Sequence, residues 1–363
     1  MADQQPPHAS DRQVRPGQPV KTTHDQTASR APEAPVTDEA PGAAAARSSS
    51  GPLPHITRVY YERDALAWPD ASTVLGRLSH LPAVEVDHYK DIFNRPGQHF
   101  QIQKHAPALI LAVERDRLLY DGSTRVASWN GTVPLYYNAP VRNCVFNCDY
   151  CFLQGMHNSG HIVLFVNSPD FMQKAAERAN EGPIFLSISY LTDLPAFEKL
   201  LPICRQWIEF AESTPGLEIE LRTKSEYFVA IRDIPAPKQT VLSFSLSPPS
   251  VAARYERGCA SFAGRLFAAR QAQVAGWRIR LCFDPIIRVD DWRREYRECI
   301  RETFRRLDPE KIEEISFGVV RLAPDFLSRI RAGRSDSDML YYPFRHEKGA
   351  DGSTVATYPV EQR

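Results

Sequence analysis

At 363 residues, 43% of them hydrophobic and 10% aromatic, the chain is long enough for one large domain or two ordinary ones with a real core. Its 44 basic and 44 acidic side chains cancel, which excludes a global positive field for nucleic acid. No apolar run is long enough to span a bilayer, and the first fifty residues lack the hydrophobic centre of a signal peptide. With seven cysteines, an odd number, a disulfide framework is not expected, and the expected location is the cytoplasm, with no membrane partner.

Residues 1–52 are rich in Pro, Ala, Ser, Gln and Thr and are expected to form a disordered tail, because they cannot bury enough surface to offset their ordering entropy. Residues 53–140 read as a small α/β lead-in module. It has strands at Val59-Tyr60-Tyr61 and Ala83–Val86, a helix from Ala71 to Leu81, and a fully buried strand over Ala108–Val113. Residues 141–335 alternate strand and helix. Strands are expected at His161–Asn167, Ile184–Ser189, Leu217–Arg222, Thr240–Leu246, Arg278–Phe283 and Ile315–Arg321. Helices are expected from Pro169, over Ala196–Glu212 with a break at Pro202, briefly from Ser225, over Ser261–Ala275, and over Asp291–Leu307. Six βα repeats with short connections imply a partial (β/α)6 TIM barrel, with its chemistry at the carboxyl ends of the strands. Residues 336–363 read as a hairpin around Gly349–Gly352 and a tail, either a lid over substrate or a cover for the open barrel edge.

Between lead-in and barrel lies Cys144-Val145-Phe146-Asn147-Cys148-Asp149-Tyr150-Cys151, spaced C-x3-C-x2-C. Three thiolates are one short of a closed zinc site or a fully ligated iron–sulfur cluster. Held by three, a [4Fe–4S] cluster keeps one iron open for a cosubstrate. This is the spacing of radical S-adenosylmethionine (SAM) enzymes, in which SAM occupies that iron and is cleaved reductively to a 5′-deoxyadenosyl radical. A zinc knuckle remains the competing reading, with His157 as the one neighbouring candidate for a fourth ligand.

The run from Asn143 to Gln154 resembles the cluster loop of the spore photoproduct lyase family of radical SAM DNA-repair enzymes. The resemblance continues through Val59–Glu62, Ala65-Leu66, Phe165–Asn167, Arg222–Lys224, Ser243–Ser245, Tyr255–Gly258, Ala275–Trp277, Pro285–Ile287 and Asp291-Trp292, roughly residues 55–345. It implies cluster ligation by Cys144, Cys148 and Cys151, and a place beside SAM for Tyr150. It also implies SAM contacts from Ser187, Ser189, Thr192, Asp193, Lys224 and Ser245, and a low-potential electron donor such as flavodoxin or ferredoxin. The same residues have plainer uses: packing for Tyr150, a helix cap for Asp193, a solvated lysine for Lys224, and strand hydroxyls for the serines.

Two positions depart from the family pattern. Tyr190 stands where the lyase carries its hydrogen-donor cysteine, and Phe152 stands where it carries a relay tyrosine. Cys282, on a barrel strand, is a substitute donor or simply a small core side chain. Cys204, Cys259 and Cys299 read as packing. Arg288, Arg293, Arg321 and Arg345 are candidate phosphate contacts or solvated arginines. The expected function is hydrogen abstraction from a nucleoside or nucleotide-type substrate. Repair of a thymine photoproduct in DNA is the second reading, and a non-catalytic metal- or nucleic-acid-binding protein the third.

Overall fold

The computed structural model describes residues 56–122, 133–349 and 352–360, so the expected tail over 1–52 lies outside the described residues. The chain opens with β1 (Val59–Glu62), α1 (Pro69–Arg77), β2 (Ala83–Val86), α2 (Phe100–His105) and β3 (Leu109–Ala112). Proline in the first turn of α1 places its missing N–H where no intrahelical bond is due. That helix stops at Arg77, short of the expected Leu81. Then come β4 (Tyr120–Asp121), β5 (Leu135–Tyr137), β6 (Val141–Arg142), β7 (Asn147–Cys148), α3 (Leu153–Met156) and β8 (Ile162–Phe165).

From there strand and helix alternate, through α4 (Ser168–Asn180), β9 (Ile184–Ser187), α5 (Ile203–Ser213), β10 (Leu217–Thr223) and β11 (Thr240–Ser245). Pro202 splits the expected helix Ala196–Glu212 as anticipated: a short 3₁₀ turn, Leu194–Phe197, precedes it and α5 starts after it. The expected helix from Ser225 is only a 3₁₀ turn, Tyr227–Ala230. Next come α6 (Pro249–Tyr255), β12 (Glu256–Arg257), α7 (Phe262–Val274), β13 (Arg278–Ile286) and α8 (Trp292–Arg306). Ser261 caps α7, its hydroxyl accepting the Gly264 N–H at 3.1 Å. The chain then runs through β14 (Ile312–Val319), β15 (Arg321–Leu322), α9 (Pro324–Gly333), β16 (Arg345–Lys348) and β17 (Thr354–Thr357).

The strands sort into two main sheets. Six run parallel in the order β14-β13-β11-β10-β9-β5, with β4 antiparallel on the outer edge of β5. These six form the partial barrel, left open because β14 and β5 do not meet. The second sheet has the order β2-β1-β3-β8-β6. The apolar run His161–Asn167, expected to open the barrel, thus lies beside β3 instead, and Leu135–Tyr137 takes the first barrel position. Both β3 and β8 are buried along their whole length. An all-apolar run reports burial on two faces, and periodicity does not say in which sheet.

The expected last strand is interrupted at Val320. Beyond it β15 leaves the barrel and pairs with β17. The C-terminal hairpin forms, β16 antiparallel to β17, although Ala350 and Asp351 of its expected turn lie outside the described residues. No described helix is long and apolar enough to cross a membrane.

Candidate active site

Barrel strands turn alternate residues inward, and the register stacks those residues in layers. Leu135 of β5 and Phe185 of β9 sit level at the amino end. Above them come Tyr137, Ser187 and Glu220. The next layer is Arg222, Ser243, Arg280 and Glu314, and then Ser245, Cys282 and Ser316. At the carboxyl ends these layers open into a cavity of about 320 Å³. Cys144, Cys148, Cys151, Tyr150, Tyr190, Cys282, Ser187, Ser189, Thr192, Asp193, Lys224 and Ser245 all line it. All twelve residues expected as cluster ligands, SAM contacts or radical-relay groups thus line one space.

The cysteine loop crosses from the second sheet to the barrel mouth. Asn143, with φ +72°, turns the chain out of β6; its amide donates to the carbonyls of Ser159 and His161, both at 2.9 Å. Lys104 from α2 donates to the carbonyls of Cys144 and Phe146. β12 pairs antiparallel with β7, Glu256 opposite Cys148. Asp149, fully buried, is held by Arg334 at 2.8 Å and Arg257 at 3.1 Å. Arg334 also donates to the Gln154 and Gln101 side chains, both at 3.0 Å. Gly155 lies so close to α9 that a Cβ there would fall 2.5 Å from Cα of Phe326.

Burial pushes the Cys144 thiol up to about 12 and the Cys151 thiol up to about 11. Cys148 moves the other way, below the usual thiol range, through its hydrogen bond with Cys259. Metal uptake must therefore displace the protons held by Cys144 and Cys151. Among the described residues no three His, Cys, Asp or Glu side chains close around a single ion. His157, the zinc candidate, is not on the cavity; it is buried against Phe93 with neither ring nitrogen hydrogen-bonded.

Behind the thiols is a buried charged network. Glu256 accepts from the Tyr150 hydroxyl, from Ser247 at 3.0 Å and from Arg265, whose side chain is fully buried with it. Lys224 stands 5.8 Å from the Tyr150 ring centre, a cation over an aromatic face. Asp193 accepts from Thr223 at 2.8 Å and from the Lys224 backbone N–H at 2.6 Å. Despite these bonds, burial raises its pKa to about 6. The Tyr190 ring lies 4.4 Å from that of Tyr137 and 6.0 Å from that of Phe152.

Apart from Arg321, sequence reasoning missed the charged wall. Arg222 pairs with Glu220 at 3.1 Å, Arg280 with Glu314 at 3.3 Å, and Arg321 with Asp284 at 3.6 Å, all lining the same cavity. The signal was available: residues two and four positions before an inward residue share its face, as Arg222 and Glu220 do with Lys224, and Arg280 with Cys282. Of the arginines suggested for phosphate, only Arg321 lines the cavity; Arg288 and Arg293 pack over the Trp292 ring.

The family model for spore photoproduct lyase matches residues 54–324. The chain belongs to the spore photoproduct lyase family. It is therefore a radical SAM enzyme, lyase-like, whose cofactors are a [4Fe–4S] cluster and SAM. A spore photoproduct lyase from Geobacillus sp. is 26% identical over 271 residues, which span 72% of this chain and 77% of the relative. A mutant spore photoproduct lyase solved with bound AdoMet and dinucleoside spore photoproduct superposes with TM-score 0.73 at 23% identity, over 85% of this chain and 92% of the other. A complex of spore photoproduct lyase with dinucleoside spore photoproduct gives TM-score 0.73 at 21% identity, with the same coverage. These structures share the partial barrel fold.

Proposed function

We propose that this spore photoproduct lyase family member abstracts hydrogen from a nucleoside or nucleotide-type substrate, held in the cavity against the Arg–carboxylate wall. In this reading Cys144, Cys148 and Cys151 hold the cluster. Ser187, Ser189, Thr192, Asp193, Lys224 and Ser245 receive SAM, and Tyr150 braces it. When bound, cluster and SAM supply a 5′-deoxyadenosyl radical. The observation that carries the substrate class is the wall: Glu220/Arg222, Arg280/Glu314 and Asp284/Arg321 present donors and acceptors side by side, the pattern needed to read the polar edge of a base.

Cys282 sits beside Ser245 and Ser316 in the layer above that wall. Burial raises its thiol pKa, so it keeps the S–H a hydrogen donor must have. Hydrogen transfer from sulfur would quench a carbon-centred product radical and leave a thiyl radical, which one electron from the low-potential donor and one proton from solvent return to the thiol. Tyr190, across the cavity, is the second candidate donor.

The test is anaerobic reconstitution followed by reduction in the presence of SAM. Formation of 5′-deoxyadenosine, lost in Cys144→Ser, Cys148→Ser and Cys151→Ser, is the expected result; its absence from the wild-type protein overturns the reading. Family membership favours a second reading, repair of a thymine photoproduct. Conversion of dinucleoside spore photoproduct to two thymidines would establish it and displace the first.

A further inference from the structure

Cys259 belongs to none of the groups assigned above, yet its sulfur lies 3.5 Å from that of Cys148. The placement is built by the backbone. α6 ends at Tyr255, and β12 lays Glu256 opposite Cys148 and Arg257 opposite Asn147. Gly258, at φ +84°, a conformation that costs any other residue, then turns the chain. The Cys259 N–H returns to the Glu256 carbonyl at 3.1 Å, which closes the turn. The sulfur ends up behind Cys148. Cys144, Cys148 and Cys151 line the cavity, and Cys259 does not.

We propose that the Cys259 S–H donates a hydrogen bond to the Cys148 sulfur and thereby raises the reduction potential of the cluster, without acting as a fourth ligand. The inference rests on the reading that Cys148 is a cluster ligand. A thiolate on iron carries no proton, so of the two sulfurs only that of Cys259 has a hydrogen to give. A free thiol at neutral pH is mostly protonated, and its S–H is a weak donor. Reduction adds negative charge that spreads onto the ligating sulfurs. A donor aimed at one of them stabilises the reduced form more than the oxidised one, and hydrogen bonds to the sulfurs are among the features that set cluster potentials. Because Cys259 does not line the cavity, it would leave the cavity side of a cluster held by Cys144, Cys148 and Cys151 open.

The experiment is an EPR-monitored redox titration of the full-length protein, reconstituted anaerobically, as wild type and as Cys259→Ala, Cys259→Val and Cys259→Ser. All four are expected to bind iron and sulfide in the same ratio. At a fixed potential the alanine and valine variants should show a reduced-to-oxidised ratio several-fold to about tenfold lower, a tenfold change being about 59 mV for a one-electron couple. Serine keeps a donor and should hold the ratio near wild type or above it. Wild-type potentials in both the alanine and valine variants would reduce the contact to packing and overturn the proposal. Loss of iron in those variants would overturn it too, by making Cys259 a ligand. Cys148→Ser serves as the control: if it keeps a full cluster, the ligand assignment itself fails, a result separate from unchanged potentials on an intact cluster.

Discussion

Asp193 shows how much is stored in one buried carboxylate at this site. Its pKa of about 6 in the fold lies above that of an exposed aspartate. The folded state therefore holds the proton more tightly than the unfolded chain. The resulting stability is fully present below about pH 4 and is lost as pH rises through about 6. Relative to Asp193→Asn, the wild-type apoprotein should lose up to about 3 kcal/mol between pH 4 and 7, read from denaturant midpoints across that range. Cys282 makes a chemical prediction at the same scale. Thiol hydrogens exchange with solvent, so turnover in D2O should place deuterium in the product, and Cys282→Ala should remove it. Mass spectra of the product decide this; label retained in the variant would point to Tyr190.

At the scale of elements, the cluster loop is braced from far along the chain. Arg334, just after α9, and Asp149 form a fully buried ion pair that also engages Gln154, Gln101 and Asn147. Removing one partner leaves an uncompensated buried charge, so Arg334→Ala should cost about 3–5 kcal/mol and lower the iron retained after desalting. Gly155→Ala forces α3 away from Phe326 and should cost about 1–3 kcal/mol, measured by thermal unfolding. The cysteine spacing was legible in the sequence because its chemistry is local. The brace was not, since 185 residues separate Asp149 from Arg334 and nothing in either neighbourhood announces the other. Helix α9 itself went unread for a related reason: its apolar side serves mainly a second core, built with β15 and β17 around Leu322, Leu327, Ile330 and Tyr358.

For the whole molecule, the barrel was legible from the succession of apolar strands and helices, down to the break at Pro202. Sheet membership was not: the strand at Ile162–Phe165 and the barrel strand at Ile184–Ser187 carry the same all-buried signature, and only pairing separates them. Charge balance was also legible, and it sets an expectation for nucleic acid. With 44 charges of each sign, and with Arg288 and Arg293 packed on Trp292, undamaged duplex should bind weakly. The slope of log K against log salt should be shallower than about 3, equivalent to some three phosphate contacts; fluorescence anisotropy over a salt series measures it. The two-residue ladder between Asn147-Cys148 and Glu256-Arg257 also bears on the order of events during synthesis. All three thiols leave the ribosome more than a hundred residues before their ladder partner, and earlier still than Arg334. A nascent chain thus exposes a soft-metal trap before it owns the scaffold that would make the trap selective, and iron delivery belongs after release of the finished chain.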